Sequence, residues 1–211
     1  MNTKYDLIVI GGGVLGTFHA YHALQKGLKV AIIEKDKLPV SATVRNFGQV
    51  VPSGMDTKWQ NYGRESLKIY NDIQSQFDIS IRKNGSVYLA SNDEEVQLIE
   101  ELSIKNKNNG YESLLLTREQ CLEKYPGLRN DYVKAGLYFP EEVTVEPRIM
   151  INRLLEFLIK NKGLTYFGNT KVVRCDSLSN EVAVVTANGE IHKTSKVILC
   201  CGSEFKTLYP D

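Results

Sequence analysis

The chain opens with apolar and amphipathic stretches in an order typical of parallel α/β folds. Residues 7–10 form a continuous apolar run, as expected for a strand buried on both faces of a parallel sheet. Three glycines follow, and residues 14–26 carry apolar side chains near the helical period. Gly27 is placed to end that helix, and residues 30–33 form a second apolar run. The order strand, tight turn, helix, strand predicts one βαβ unit.

The glycines of this unit match the spacing G-x-G-x-x-G. Gly11 permits a tight turn, Gly13 lets a pyrophosphate approach the backbone, and Gly16 lets the helix pack closely on the strand. The helix N-terminus then directs free N–H groups at the phosphates. Glu34 ends the second strand, where its carboxylate accepts hydrogen bonds from a ribose and repels a 2′-phosphate; Lys35 is assigned to the same site. The unit predicts a dinucleotide without a 2′-phosphate. Both FAD and NAD meet this description.

The middle of the chain has a different pattern. Residues 56–77 predict an amphipathic helix. Asn84-Gly85 separates two strand-like stretches and predicts a hairpin of residues 79–83 with 86–90. Further elements are expected at residues 93–107 (helix), 117–120 (the start of a short helix that Pro126-Gly127 ends) and 135–139 (strand). We expect residues 78–145 to form a smaller α+β region inserted into the α/β domain.

The last part of the chain predicts a return to the first sheet. Glu146-Pro147 begins an amphipathic helix that Gly163 ends. Strands are expected at residues 170–174, 182–186 and 196–201, with a hairpin turn at Asn188-Gly189 between the last two. The predicted fold class is therefore α/β, with a Rossmann-like domain formed by residues 1–77 and 146–211.

Composition and charge exclude several classes of function. The chain has 211 residues and a net charge of +1, and no basic stripe stands out, so nucleic acid is not an expected partner. The apolar run of residues 7–10 is too short to span a membrane, and the N-terminus lacks the order of a signal peptide. The four cysteines show no CxxC pair, which favours a reduced, cytoplasmic setting.

Two pairs of chemically reactive side chains are interpreted as structural rather than functional. Cys200-Cys201 is interpreted as the apolar end of a buried strand rather than a redox centre, with the two side chains on opposite faces. His19 and His22 lie one turn apart on the first helix without further ligands nearby, so no metal site is predicted.

Several segments, in order, resemble the D-amino acid oxidase/glycine oxidase/sarcosine oxidase superfamily of FAD-dependent oxidoreductases. The opening unit carries its dinucleotide fingerprint. SATVRNFGQVVPSG resembles the family's segment that runs along the pyrophosphate toward the isoalloxazine ring. NGSVYLASNDEE resembles the first hairpin of the substrate domain, and AGLYFPEEVTVEPR resembles the return to the FAD domain. NTKVVRCD is similar to the strand whose valine meets adenine, and KVILCCGSEF to the strand ending in Ala-Gly.

The resemblance implies FAD as the cofactor, held noncovalently because the loop after the second strand lacks the His through which some relatives attach it. No catalytic residue is assigned. The residues expected to bind FAD are Gly11, Gly13 and Gly16 (pyrophosphate), Glu34 and Lys35 (ribose side), Val172 (adenine), Cys201 and Gly202 (in place of Ala-Gly), and Arg45, Asn46, Gly48 and Gln49 (pyrophosphate-to-ring side).

The resemblance also implies a reaction, the oxidation of an amine or amino acid by hydride transfer to flavin N5. The forms VRNFGQV and VEPR are most similar to a bacterial subgroup proposed to act on aminophosphonates. Family members continue well beyond Asp211, so the chain is expected to be an N-terminal portion. The expected partners are a small-molecule amine and either a second copy of the chain or a C-terminal partner chain.

Two other functions are weighed against this one. The first is a noncatalytic nucleotide-binding fragment or subunit that needs a C-terminal partner. The second, a disulfide reductase, is disfavoured because it requires a cysteine pair soon after the second strand, and the first cysteine is Cys121.

Overall fold

A computed structural model describes residues 4–208. The elements are, in chain order, β1 (Tyr5–Ile10), α1 (Val14–Gln25), β2 (Val30–Ile33), β3 (Gln49–Val50), α2 (Thr57–Gln76), β4 (Ser86–Ala90), α3 (Asp93–Asn108), β5 (Leu114–Thr117), α4 (Arg118–Lys124), β6 (Ala135–Phe139), β7 (Val143–Thr144), α5 (Pro147–Lys162), β8 (Thr165–Phe167), β9 (Val172–Ser177), β10 (Val182–Thr186), β11 (Ile191–Leu199) and α6 (Phe205–Leu208). Short 3₁₀ turns span Ala42–Val44, Pro52–Gly54 and Gly202–Glu204.

The described chain divides into two compact units, one of residues 4–47 with 146–208 and one of Gly48–Val145. The second unit contains the predicted region of residues 78–145 and also residues 48–77. Helix α2 belongs to the second unit because its polar side chains bond the end of α3. Gln60 Nε2 donates to Asn106 Oδ1 at 2.5 Å, and Arg64 Nη1 donates to the Asn109 carbonyl at 3.1 Å.

The first unit is built on a six-stranded sheet with strand order β8-β2-β1-β11-β10-β9. β1 runs parallel to β2 and β11, and β10 is antiparallel to both of its neighbours. Ile8 and Val9 of β1 and Val30 and Ile32 of β2 have 0% exposure, which confirms that the two continuous apolar runs are strands buried on both faces. The α/β class and the parallel core predicted from the sequence are confirmed.

Helix α5 has a buried face and packs against α1. It begins at Pro147, as predicted, and ends at Gly163 in the left-handed conformation (φ 74°), which glycine adopts without steric cost. Leu154 and Leu158 on its inner side have 0% exposure. None of the helices in residues 4–208 is long and apolar enough to cross a membrane.

The second unit contains a three-stranded antiparallel sheet with strand order β4-β6-β5. Helix α3 covers it, and the core combines Ala90, Ile99, Tyr111, Leu137 and Phe139. A separate two-stranded ladder pairs β3 with β7. Helix α3 and strand β6 lie at the positions that the sequence predicts.

The predicted hairpin around Asn84-Gly85 is wrong. Gly85 does adopt the left-handed conformation (φ 69°), but β4 pairs with the distant β6, and residues 79–83 contribute only the bridge of Arg82 with Thr144. The cause is local: Gln74 Oε1 accepts the backbone N–H groups of Ile79 (2.9 Å) and Ile81 (3.2 Å). Those N–H groups are therefore not available to a partner strand.

The end of the chain departs from prediction in its strand limits. The predicted strand 196–201 begins earlier, and β11 ends at Leu199. Cys200 N–H still donates to the Ile10 carbonyl at 2.7 Å, but Cys201 adopts helical angles (φ −73°, ψ 0°). The two cysteines thus lie past the strand instead of inside it. The turn predicted at Asn188-Gly189 is confirmed, since Gly189 has φ 85° between the antiparallel β10 and β11.

We expect Leu154→Ala to lower the free energy of unfolding by about 2–5 kcal/mol, because it leaves a cavity under α5. The matched change Ile159→Ala, on the same helix but at a side chain that is 43% exposed, should cost less than about 1 kcal/mol. Urea denaturation of both variants measures the difference. Equal losses would mean that α5 does not bury the face described above.

Candidate functional site

The carboxyl ends of β1, β2 and β11 meet at the glycine turn. Gly11 has φ 104°, and a Cβ on it would lie 2.4 Å from the Cys200 carbonyl oxygen. A Cβ on Gly16 would lie 2.0 Å from the Gly11 carbonyl oxygen. Any other residue at either position would separate backbone segments that now touch. These two glycines therefore let helix α1 start directly against the strand ends.

Gly13 differs from the other two glycines because the nearest atom to an added Cβ belongs to a side chain and not to the backbone. Its backbone angles (φ −65°, ψ 179°) suit any residue, and a Cβ there would meet only Thr43 Oγ1, at 3.0 Å. The lack of a side chain at Gly13 thus leaves room for the Thr43 hydroxyl, and both residues line the same cavity. A pyrophosphate needs a close approach to the backbone.

Thr43 occupies the start of helix α1, and the sequence reading did not single it out. The Val14 N–H donates to Thr43 Oγ1 at 2.9 Å, while the first turn of α1 carries no acidic side chain. The sequence feature that could have indicated this role is a hydroxyl residue in the loop after β2. Its side chain supplies the helix cap that Gly13 lacks. The partial positive charge at the N-terminus of α1 favours an anion beside it.

Glu34 ends β2 as a buried carboxylate, 7% exposed. Its Oε2 accepts the Gly12 N–H at 2.7 Å, and its Oε1 accepts the Asp36 N–H at 3.1 Å. Burial, together with the negative charges of Glu34 and Asp36, raises the pKa of the Tyr166 hydroxyl. This end of the site is therefore negative and disfavours an additional phosphate.

A cavity of about 290 Å³ opens beside the turn. Apolar walls from Ile10 and Ile33 line it, along with the polar loop that contains Thr43. The structure brings together at this cavity the following predicted site residues: Gly11, Gly13, Glu34, Lys35, Val172, Cys201 and Gly202. Gly16 supports the turn as described above.

Arg45 and Asn46 do not line this cavity. Both are exposed and bond backbone oxygens of their own loop. Arg45 Nε donates to the Val40 carbonyl at 3.1 Å, and Asn46 Nδ2 donates to the Thr43 carbonyl at 2.7 Å. In this structure they shape the loop that presents Thr43.

Gly48 and Gln49 belong to the second unit. Gly48 is buried, has φ 68°, and accepts the Val145 N–H at 2.8 Å. Gln49 is exposed and pairs with Thr144 in the β3–β7 ladder. Their assignment to the flavin side remains a prediction.

Two side-chain pairs complete the cavity. Lys35 forms an ion pair with Glu204, and this hydrogen bond raises the pKa of the Lys35 ammonium. Burial raises the pKa of the Cys200 and Cys201 thiols, so both stay neutral. Neutral thiols are poor nucleophiles, which agrees with the non-redox interpretation of this pair.

The donor set fits the ADP part of a dinucleotide. A backbone cradle without side chains faces a helix N-terminus, and a buried carboxylate sits at the adjoining strand end. An anion matches the first feature and a ribose hydroxyl the second.

Comparison with known proteins finds relatives over nearly the whole chain. The glycerol 3-phosphate dehydrogenase of Caloramator mitchellensis is 26% identical, over 94% of this chain and 42% of the relative. The mitochondrial sarcosine dehydrogenase of Mus musculus is 26% identical, over 93% of this chain and 22% of the relative. The solved glycine oxidase from Bacillus cereus superposes with a TM-score of 0.85 at 25% identity, covering 97% of this chain and 57% of that one.

The chain spans about half the length, or less, of the relatives that it matches. A family described as "DAO: FAD dependent oxidoreductase" matches residues 6–210, which is almost the entire chain. The protein therefore belongs to the DAO family of FAD-dependent oxidoreductases.

Proposed function

We propose that this chain binds FAD noncovalently within an oxidoreductase that oxidises an amine or amino acid. The observation that carries the proposal is the glycine turn, whose Gly11 and Gly13 line the cavity beside the start of α1. Family membership makes FAD the cofactor to expect, and the buried Glu34 supports a nucleotide without a 2′-phosphate.

Each part of the cavity has a role in this proposal. The backbone of residues 11–13 and the first turn of α1 hold the pyrophosphate, with Thr43 keeping the helix end in place. Glu34 accepts hydrogen bonds from the ribose, and the backbone of Val172 meets the adenine. Apolar walls at Ile10 and Ile33 exclude water from this end. Arg45, Asn46, Gly48 and Gln49 are proposed for the side of the pyrophosphate that leads to the ring.

The cofactor carries the difficult chemistry and the chain's own residues hold and orient it. When bound, FAD would accept at N5 the hydride of the C–H bond on the carbon that bears the amine; the nitrogen would lose a proton, and water would hydrolyse the resulting imine. The finer proposal of an aminophosphonate substrate rests on the VRNFGQV segment. The names glycine oxidase and sarcosine dehydrogenase refer to small amino acids, whereas the name glycerol 3-phosphate dehydrogenase refers to a phosphorylated alcohol.

The alternative is a noncatalytic nucleotide-binding subunit that needs a C-terminal partner. In this alternative the chain binds FAD at the same site, but it does not catalyse the reaction by itself. The matched relatives are about twice as long as this chain or longer, and this difference motivates the alternative.

A titration and a bleaching assay separate these proposals. FAD added to the purified chain should bind and show a perturbed visible flavin spectrum. Glycine, sarcosine, aminomethylphosphonate and glycerol 3-phosphate are then added separately without oxygen. Bleaching by one of the amines alone supports the proposal, and bleaching by glycerol 3-phosphate alone contradicts the amine assignment. Bound FAD that no substrate bleaches favours the subunit, and no FAD binding contradicts both.

We expect Gly13→Ala to weaken FAD binding at least about tenfold, because its methyl group enters the space that the pyrophosphate needs. Its free energy of unfolding should fall by no more than about 2 kcal/mol, because the backbone angles are ordinary but the methyl group lies 3.0 Å from Thr43 Oγ1 and displaces that helix cap. Gly127→Ala is the matched control, at a glycine with no atom within 4 Å of the added methyl. Fluorescence titration with FAD measures both. Unchanged affinity in Gly13→Ala would remove Gly13 from the site.

We expect the wild-type chain to bind adenosine 5′-monophosphate more tightly than adenosine 2′,5′-bisphosphate, which differs from it only by the 2′-phosphate that the Glu34 carboxylate repels. Glu34→Gln should narrow this preference by about tenfold, which is about 1.4 kcal/mol. Glu156→Gln, at an exposed residue of α5 that does not line the cavity, removes the same charge and should leave the preference within about twofold. Calorimetric titration gives all six affinities. A preference that Glu34→Gln does not change would place the ribose elsewhere.

A further inference from the structure

The three-stranded sheet of the second unit ends on one side in β5, a strand with an exposed apolar edge. The strand order is β4-β6-β5, so in the part of the chain that the structure describes β5 has a partner strand on one side only. Leu114 and Leu115 are 47% and 49% exposed, and Thr117 is exposed as well. The other edge strand, β4, has a single exposed residue, Tyr88. β5 is therefore the less protected of the two edges.

An unprotected edge strand favours pairing with another strand. Its outer N–H and C=O groups lack a partner strand, and proteins usually guard such an edge with a charge, a proline or a bulge. The residues of β5 are Leu-Leu-Leu-Thr, which include neither a charge nor a proline. The charges flank the strand instead: Glu112 lies two residues before it and Arg118 directly after it, and both residues are exposed.

The stretch from Glu112 to Arg118 is complementary to itself in the antiparallel direction. With Leu115 opposite Leu115 of a second copy, the leucines on either side of it also meet leucines. Ser113 then comes opposite Thr117, and Glu112 comes opposite Arg118. Apolar pairs, hydroxyl pairs and opposite charges are the cross-strand pairs that stabilise antiparallel sheets.

Other registers lose this match. Antiparallel pairing about Leu114 would place Glu112 opposite Leu116, and pairing about Leu116 would place Arg118 opposite Leu114. Each of these registers sets a charged side chain against an apolar one and separates the opposite charges. The two charges therefore select the register that is centred on Leu115.

The structure holds the Arg118 side chain at the end of β5. Its Nη2 donates to the Asn130 carbonyl at 2.8 Å, which uses one of the several N–H groups of the guanidinium. The other N–H groups suit a carboxylate, because a guanidinium and a carboxylate form charge-assisted hydrogen bonds. Glu112 of a second copy supplies that carboxylate in the register described above.

We propose that β5 is a dimerisation edge, at which two copies of the chain pair antiparallel about Leu115. The two three-stranded sheets then form one continuous sheet of six strands. Each copy contributes the same edge, so the contact closes at two copies. It is independent of FAD and of the proposed function, because all of its residues lie in the second unit. A contact this small predicts a weak dimer, with a Kd of about 10 μM.

Charge reversal tests the register. Glu112→Arg and Arg118→Glu each place like charges opposite each other when the variant pairs with itself, so each alone should dimerise at least about tenfold more weakly. Mixed one to one, the two variants restore both opposite-charge pairs, and the Kd of the mixed dimer should return to within about threefold of wild type. Sedimentation velocity from about 1 to about 200 μM measures all four. Misfolding of either variant would not be repaired by mixing.

Leu115→Lys tests the centre of the contact, because it sets two ammonium groups opposite each other. This variant should remain monomeric up to about 200 μM. Leu178→Lys is the matched control, at a leucine that is 45% exposed and lies in the first unit. It should leave the Kd of the dimer within about twofold of wild type.

Several results would overturn the proposal. A wild-type chain that stays monomeric up to about 200 μM contradicts it. A dimer that Leu115→Lys and the charge reversals leave unchanged is held by another surface. A mixture of the two charge variants that dimerises no better than either alone contradicts the register, and wild-type species larger than a dimer contradict the closed pairing.

Discussion

The contact of bare backbone at the carboxyl ends of the parallel strands is the constraint on which the rest of the site depends. Gly11 touches the Cys200 carbonyl, and Gly16 touches the carbonyl of Gly11. Because no side chain separates them, helix α1 begins at the strand ends and its positive end opens onto the cavity. The Gly12 N–H then comes within 2.7 Å of Glu34 Oε2, which links the turn to the end of β2.

The chemistry of the cavity follows from this arrangement. One end has a helix N-terminus behind a turn of glycines, so it attracts an anion. The other end has a buried carboxylate beside Asp36, so it accepts hydroxyl donors and repels further phosphate. Apolar strand ends separate the two. A nucleotide that has a pyrophosphate and a ribose without a 2′-phosphate matches these two ends of the cavity. FAD, the cofactor of the family to which the chain belongs, is such a nucleotide.

Much of the first unit could be predicted from the sequence because its signals are local. The two apolar runs, the glycine spacing and the Pro147 and Gly163 ends of α5 each specify an element without reference to distant residues. The pairing of β4 with β6 could not be predicted, since Asn84-Gly85 indicates a turn but not the partner strand. Thr43 was missed because its role depends on a bond to Val14 across the fold.

The central claim is that the glycine turn binds the pyrophosphate of FAD. Amide chemical shifts of the labelled chain, recorded by NMR with and without FAD, test it most directly because they report on each backbone N–H. We predict the largest shifts at Gly13 and, in the first turn of α1, at Leu15 and Gly16, where the proposal places the phosphates. Shifts that leave these amides unchanged while FAD binds elsewhere would contradict it.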